Sequence, residues 1–266
     1  MPRVSISQLM KMKAEGSRIA CLTAYDHPTA MAADAEGVDL ILVGDSLGMV
    51  VLGYESTLPV TLEDMIHHGR AVVRGASHAL VVVDLPFMSY QESPLQALRS
   101  AGRLLKETGA QAVKLEGGSE MAAAVALLKQ SGIAVMGHLG LTPQSVHALG
   151  GYRVQARAKA GALRLLKDAR ALERAGAFSV VLEMVPAALA ARARKALKIP
   201  VIGIGAGPAC DGQVLVSHDL LGLTPGHVPR FARQYGQAHA EARRAIARYC
   251  ADVRQGRFPG LAETLA

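Results

Sequence analysis

Five short apolar runs of this chain each break off at a polar side chain, and the residue types together define a chemistry. ILVGDSLG (41–48) gives Asp45 and Ser46, and ALVVVDLP (79–86) gives Asp84. AVKLEG (112–117) gives Lys114 and Glu116, AVMGHLG (134–140) gives His138, and FSVVLEMV (178–185) gives Glu183. Each residue also has a bland reading. Asp45 caps a turn and Asp84 accepts from one. Lys114 and Glu116, two apart on one strand face, form an ordinary ion pair. His138 is a satisfied core histidine. Glu183 is harder to explain this way, because an ionised carboxylate among Val180, Val181, Leu182 and Met184 is costly without a partner. The positions argue jointly, since unrelated structural causes would not all choose strand ends.

Asp45 and Asp84, with Glu116 near them, supply hard oxygen ligands. Such a set suits Mg²⁺, which keeps waters and takes one or two carboxylates plus substrate oxygens. No Cys/His cluster favours zinc. A bound Mg²⁺ chelates a 2-oxo acid and polarises its carbonyl. Lys114 offsets the substrate carboxylate or a developing enolate, and Glu183 is the candidate base. The set fits removal of a proton α to a carbonyl, and spacing alone goes no further.

Something must bring these strand ends together. The strand-like runs are 18–26, 38–44, 79–86, 112–117, 134–140, 178–185, 200–207 and 214–222. They are rich in Val, Ile and Leu without clean alternation, as strands covered on both faces are. Helical segments alternate with them at 61–76, 94–109, 119–131, 158–175 and 186–196. Thr61 with Asp64, Ser93 with Pro94, and Ser119 mark helix starts. The pattern predicts an α/β fold, a (β/α)8 TIM barrel, spanning 1–266 as a single domain. ISQLMKMKAEG reads as an extra N-terminal helix closing the barrel's bottom. Only 208–213 separates the last two runs, too little for a helix. The expectation there is a short seventh βα connection or a misplaced strand, and an open doubly wound sheet is the alternative architecture.

Composition narrows the function further. The formal charge is +7, but arginines gather in helix-like segments, 153–174 and 230–254, and only 4% of residues are aromatic. Few stacking platforms argue against nucleic acid, and an anionic small substrate suits the charge. MPRVSISQLMKMKAEG lacks the apolar core of a signal peptide, and no run approaches the roughly 20 apolar residues of a membrane span. Cys21, Cys210 and Cys250 are scattered and odd in number. The expectation is a cytoplasmic protein without disulfides or a membrane partner. IGIGAG (202–207) lacks the dinucleotide spacing and reads as a tight strand-end turn. Met49, Met88, Met136 and Met184 read as packing, and His67 and His68 as helix surface.

Longer motifs carry a resemblance. LTAYD (22–26), ILVGDSLGMVVLGYESTLPVTLEDMIHH (41–68), DLPFMSYQ (84–91), AVKLEGG (112–118), VMGHLGLTPQS (135–145), LGGYRVQ (149–155), VLEMVP (181–186) and IGIGAGPACDGQVLVSHDLLGL (202–223) resemble the 3-methyl-2-oxobutanoate (ketopantoate) hydroxymethyltransferase family. The resemblance spans nearly the whole chain. It implies a (β/α)8 barrel assembled as a homo-oligomer, typically a homodecamer. It also implies hydroxymethyl transfer from 5,10-methylenetetrahydrofolate to 3-methyl-2-oxobutanoate, through a Mg-stabilised enolate, giving 2-dehydropantoate. That is the first committed step toward pantothenate and coenzyme A. Asp45 and Asp84 match the family's magnesium ligands, with Glu116 third, through water. Asp45, Ser46, Asp84 and Lys114 match its keto-acid contacts, Glu183 its proton acceptor and His138 a pocket histidine. Nothing marks a pterin pocket. Met88, where a small residue such as Gly is expected, and His147 and Ala156 depart from the family pattern. Two rivals stay open. One is a Mg²⁺ carbon–carbon lyase, disfavoured because no lyase-type cysteine motif is present and Cys210 is the only loop cysteine of note. The other is a silent scaffold, which the intact acidic set argues against.

Overall fold

The computed structural model describes residues 2–226 and 228–265, which divide into two compact units, one ending at Val216 and one starting at Ser217. In the first unit β1 (Ile19–Thr23), β2 (Leu40–Val43), β3 (Leu80–Asp84), β4 (Ala112–Glu116), β5 (Ala134–Gly140), β6 (Ser179–Glu183), β7 (Val201–Ile204) and β8 (Gly212–Leu215) lie parallel, and β8 returns to pair with β1. The sheet is a closed (β/α)8 barrel, which rules out the open doubly wound alternative. Residues 205–211 link β7 to β8 without a helix, so the seventh connection is short.

The predicted caps at Thr61 and Ser93 start helices, the one at Ser119 does not, and Ser5 and Asp26 cap two more. α1 (Ile6–Glu15) is capped by Ser5, and α2 (His27–Ala35) by Asp26. α3 (Leu47–Val50) is a single turn, and α4 (Leu62–Gly75) opens on a complete Thr61/Asp64 capping box. α5 (Pro94–Thr108) follows Ser93, α6 spans Ala122–Gln130, α7 spans Lys159–Ala175 and α8 spans Ala187–Ala196. Three sequence boundaries need correction. In 119–131 the first turn, Ser119–Met121, is 3-10 and Ser119 does not cap it; the Ser119 N–H donates instead to the Asp168 carboxylate at 3.2 Å. The run 214–222 is not one strand. β8 starts earlier, where Gly212 pairs with both Ile19 and Ile202, and 217–221 is helical. A short apolar run does not by itself separate strand from helix. In 230–254 only the part from Ala238 is helix.

The second unit holds α9 (Ser217–Leu221), α10 (Ala238–Arg254) and a 3-10 turn at Leu261–Glu263. Tyr249 meets Phe258 edge-on at 5.5 Å between ring centroids. Among the described residues no helix is long and apolar enough to cross a membrane.

Strand alternation sorts the barrel's side chains into two clusters. Leu40, Leu42, Leu80, Val82, Ala112, Met136, Val181, Ile202 and Val214 pack with Val4 and Leu9, the latter from α1. Ile41, Val43, Val81, Val83, Val113, Leu115, Val180 and Leu182 pack instead with helix residues such as Met65, Leu104, Leu128 and Leu172. The first cluster is the barrel interior, stoppered at the N-terminal strand ends by α1. Continuing the period of two, Asp84 shares the interior face with Leu80 and Val82, and Lys114 and Glu116 share it with Ala112. His138 follows Met136, and Glu183 follows Val181, on the same side. The fold thus aims these polar residues inward at the C-terminal end of the barrel.

Candidate active site

β3 and β4 place Asp84 opposite Lys114 in register, and Lys114 Nζ lies 3.0 Å from Asp84 Oδ1. Just past β2, the Asp45 N–H donates to Asp84 Oδ2 at 3.2 Å. Gly44 leaves room for the Ser46 hydroxyl: a side-chain carbon there would sit 2.9 Å from Ser46 Oγ, while Asp84 Oδ2 would stay at an ordinary contact distance of 3.7 Å. The apolar run stops at Gly44 because the site begins there.

β4 and β5 place Glu116 opposite His138. His138 bridges two carboxylates, with Nδ1 3.1 Å from Glu116 Oε1 and Nε2 3.2 Å from Glu183 Oε2. Glu183 thereby finds the partner that its apolar strand demanded. Its backbone is held by the Leu141 N–H, which donates to the Glu183 carbonyl at 2.8 Å. Gly140 lies opposite Glu183 and must be glycine, because a Cβ there would strike the Glu183 carbonyl oxygen. Half-buried Ser46 sits 2.9 Å from the Tyr25 hydroxyl. The Tyr25 carbonyl in turn lies 2.6 Å from His68 Nδ1, so His68 is a half-buried contact and only His67 is helix surface.

The candidate site residues Asp45, Ser46, Asp84, Lys114, Glu116, His138 and Glu183 are therefore all at this end of the barrel. Two further residues, Tyr90 and Gln144, are fully part of the cluster and were not anticipated. Gln144 lies in the 3-10 turn Pro143–Ser145 after β5, and its side-chain Nε2 donates to Asp45 Oδ2 at 2.8 Å. A neutral side chain in a loop leaves no periodicity or charge signal. The run of LTPQS straight after a strand end was the only available hint.

The cluster carries an excess of negative charge. Burial, then the charges of Asp84 and Glu116, push the Asp45 carboxyl up to about 8, against the pull of Lys114 and Gln144. Burial likewise raises Asp84, although Lys114 opposes it. Burial alone would lower the Lys114 ammonium, but Asp84, Glu116 and Asp45 carry it above its ordinary value. Burial and Lys114 also work against the His138 imidazolium, yet the contacts with Glu116 and Glu183 bring it up to about 9. The two carboxylates thus favour the imidazolium form of His138, which carries an N–H on each ring nitrogen.

Among the described residues no three His, Cys, Asp or Glu side chains form a ready metal cage. Glu116 shows why: its Oε1 faces His138 and its Oε2 accepts the Gln144 N–H at 3.0 Å. That leaves Asp45 and Asp84. Asp84 Oδ1 is buried and has no hydrogen bond of good geometry, only the charge of Lys114 beside it. Two aspartates, one with an unsatisfied buried oxygen, in a pocket of surplus negative charge fit a divalent ion that retains waters.

Strain also collects at this end. Met88, Ala156 and Met184 have φ of 61°, 56° and 45°, and follow β3, β5 and β6. The Ser89 N–H donates to the Pro86 carbonyl at 3.1 Å, closing a turn whose third residue is Met88. A positive φ at that turn position favours glycine, which accounts for the small residue expected there.

Fold and site together define a barrel enzyme with an acidic cluster, one lysine and one histidine at its C-terminal end. Solved structures with this fold include phosphonopyruvate hydrolase in complex with oxalate and Mg²⁺, with a TM-score of 0.63 and 12% identity, covering 98% of this chain and 91% of that one. Another is 2,3-dimethylmalate lyase of the PEP mutase/isocitrate lyase superfamily, with a TM-score of 0.61 and 17% identity, covering 100% and 92%. Sequence is more specific. The family model for ketopantoate hydroxymethyltransferase matches residues 3–261. The 3-methyl-2-oxobutanoate hydroxymethyltransferase of Carboxydothermus hydrogenoformans is 57% identical over 97% of this chain and 94% of its own length. That of Moorella thermoacetica is 57% identical over 97% and 96%. The chain belongs to the ketopantoate hydroxymethyltransferase family, and it is an enzyme, a hydroxymethyltransferase.

Proposed function

We propose that this enzyme transfers a hydroxymethyl group from 5,10-methylenetetrahydrofolate to 3-methyl-2-oxobutanoate, giving 2-dehydropantoate on the route to pantothenate and coenzyme A. The supporting observation is the contrast in access within the cluster. The side chains of Asp84, Lys114, Glu116 and His138 are 3–5% exposed, whereas Glu183 is 15% exposed and faces the same interior. Asp45 and Asp84 would hold Mg²⁺, with Glu116 beside them adding negative charge. The ion supplies charge neutralisation and polarisation of a 2-oxo acid. Ser46 and Lys114 orient the keto acid and compensate its carboxylate. His138 fixes one oxygen of Glu183 and leaves the other to take the C3 proton. The folate methylene carbon gives up both of its C–N bonds, one replaced by the bond to C3 and the other by the hydroxyl that water provides, and the two folate nitrogens take up the protons released from C3 and water. Assembly as a homodecamer, a cytoplasmic location and action of 1–266 as one domain belong to the same proposal.

Proton NMR of 3-methyl-2-oxobutanoate in D₂O tests it. Loss of the C3 proton signal that depends on Mg²⁺, then product once methylenetetrahydrofolate is added, is the expected result. Turnover without folate would favour a carbon–carbon lyase, and no exchange by folded, Mg²⁺-treated protein would reject the substrate.

A further inference from the structure

Gln144 brings no charge to the cluster yet ties its parts together. Its Nε2 donates to Asp45 Oδ2 at 2.8 Å and to the Leu85 carbonyl at 2.9 Å. Its Oε1 accepts from the Tyr90 hydroxyl at 2.7 Å and from Gln91 Nε2 at 3.0 Å. Its backbone N–H holds Glu116 Oε2 at 3.0 Å. The side-chain amide is buried with every donor and acceptor used. Only one orientation is possible, because turning it over would set Oε1 against the Asp45 carboxylate and the Leu85 carbonyl. Tyr90 is consistent with the same sense. Its hydroxyl accepts the Glu116 N–H at 3.1 Å, and of the two acceptors for its own proton Gln144 Oε1 at 2.7 Å is nearer than the Glu116 carbonyl at 3.3 Å.

We infer that Gln144 is a positioning residue for this active site, setting which oxygens of Asp45 and Glu116 face a divalent cation and the keto acid. The inference rests on the reading above that Asp45 and Asp84 hold such a cation. The two carboxylates come from different elements, the turn after β2 and the end of β4. No backbone ladder joins β2 to β4, and one residue contacts both carboxylates, Asp45 through its side-chain amide and Glu116 through its backbone N–H. Partners of metal-binding carboxylates in this position orient the ligand and control affinity.

Gln144→Leu keeps nearly the same volume and the backbone N–H to Glu116 but removes the side-chain donors. Metal-free crystal structures of wild type and variant read the carboxylate orientation, and Mn²⁺ titration followed by electron paramagnetic resonance reads cation affinity. The expected result is a rotated Asp45 carboxylate and Mn²⁺ binding weakened by about 10-fold or more. Superimposable carboxylates with unchanged Mn²⁺ affinity would overturn the inference and leave Gln144 a plain loop clamp. Tyr90→Phe removes only a hydroxyl and decides the matter if Gln144→Leu does not fold. It should weaken Mn²⁺ binding in the same direction but less, and unchanged binding would count against the inference. Wild-type protein that takes up no Mn²⁺ would instead overturn the cation reading, leaving carboxylate orientation to judge Gln144 separately.

Discussion

At the N-terminal end of the barrel Asp211 is as buried as Asp84 is at the C-terminal end, but its charge is fully matched. Asp211 Oδ2 takes Lys13 Nζ at 2.7 Å and the Val201 N–H at 2.9 Å, and Oδ1 takes Arg194 Nε at 2.6 Å. One carboxylate meets two cations and a strand N–H, and through Lys13 the contact also fastens α1 to the barrel. At the other end Asp45, Asp84, Glu116 and Glu183 face only Lys114 and His138, and the carboxyls of Asp45 and Asp84 are pushed upward. The three non-glycine residues of positive φ among the described residues also lie beyond strand C-termini. One end is built from satisfied charge and relaxed backbone. The other keeps unsatisfied charge and strain, as functional sites do.

Substitutions at each end can break this contrast. The largest effect is expected from Glu183→Gln, which should slow C3 proton exchange by about 10³-fold with little change in unfolding free energy. Exchange near the wild-type rate would remove Glu183 as the base. Asp211→Ala should do the reverse, costing about 3 kcal/mol in urea unfolding by stranding Lys13 and Arg194, while folded molecules keep their turnover. A loss of turnover without loss of stability would erase the division between the ends.

Asp34 sharpens the picture of the structural end. Its carboxylate accepts the N–H groups of Ser77, His78 and Ala79 at 3.1, 2.9 and 2.6 Å, at the entry to β3. Burial would raise it, but these bonds, with the Ser77 hydroxyl, hold it below the usual carboxylate range. A carboxyl lowered on folding contributes stability above its unfolded pKa of about 3.9, and that contribution fades as pH falls through the folded value. Asp34→Ala should therefore cost about 2 kcal/mol at neutral pH. Denaturant midpoints measured down the pH scale should show the gap between variant and wild type closing in acid. A gap constant with pH would mean that packing, not the carboxylate, carries the effect.

The smallest change belongs to the strained end. Met88 is 55% exposed at φ 61°, so Met88→Gly relieves left-handed strain of about 1 kcal/mol, offset in part by the freedom glycine has when unfolded. A net gain below about 1 kcal/mol in thermal unfolding is expected. A clear loss would show that the methionine packs.

The amino-acid sequence by itself determined the strand and helix alternation, the caps at Thr61 and Ser93, and which polar residues stand at strand ends. These are local properties: apolar runs, cap chemistry and a side-chain period of two along each strand. It also carried the long motifs that place the chain in its family. It did not place β8, where Gly212 was read into a loop, because the true start depends on pairing with β1 and β7. Nor did it reveal Gln144, Tyr90 or the pairing of Asp211 with Lys13, 198 residues apart. Neutral hydrogen-bonding partners and long-range ion pairs have no sequence period, and only closure of the barrel brings them within bonding distance.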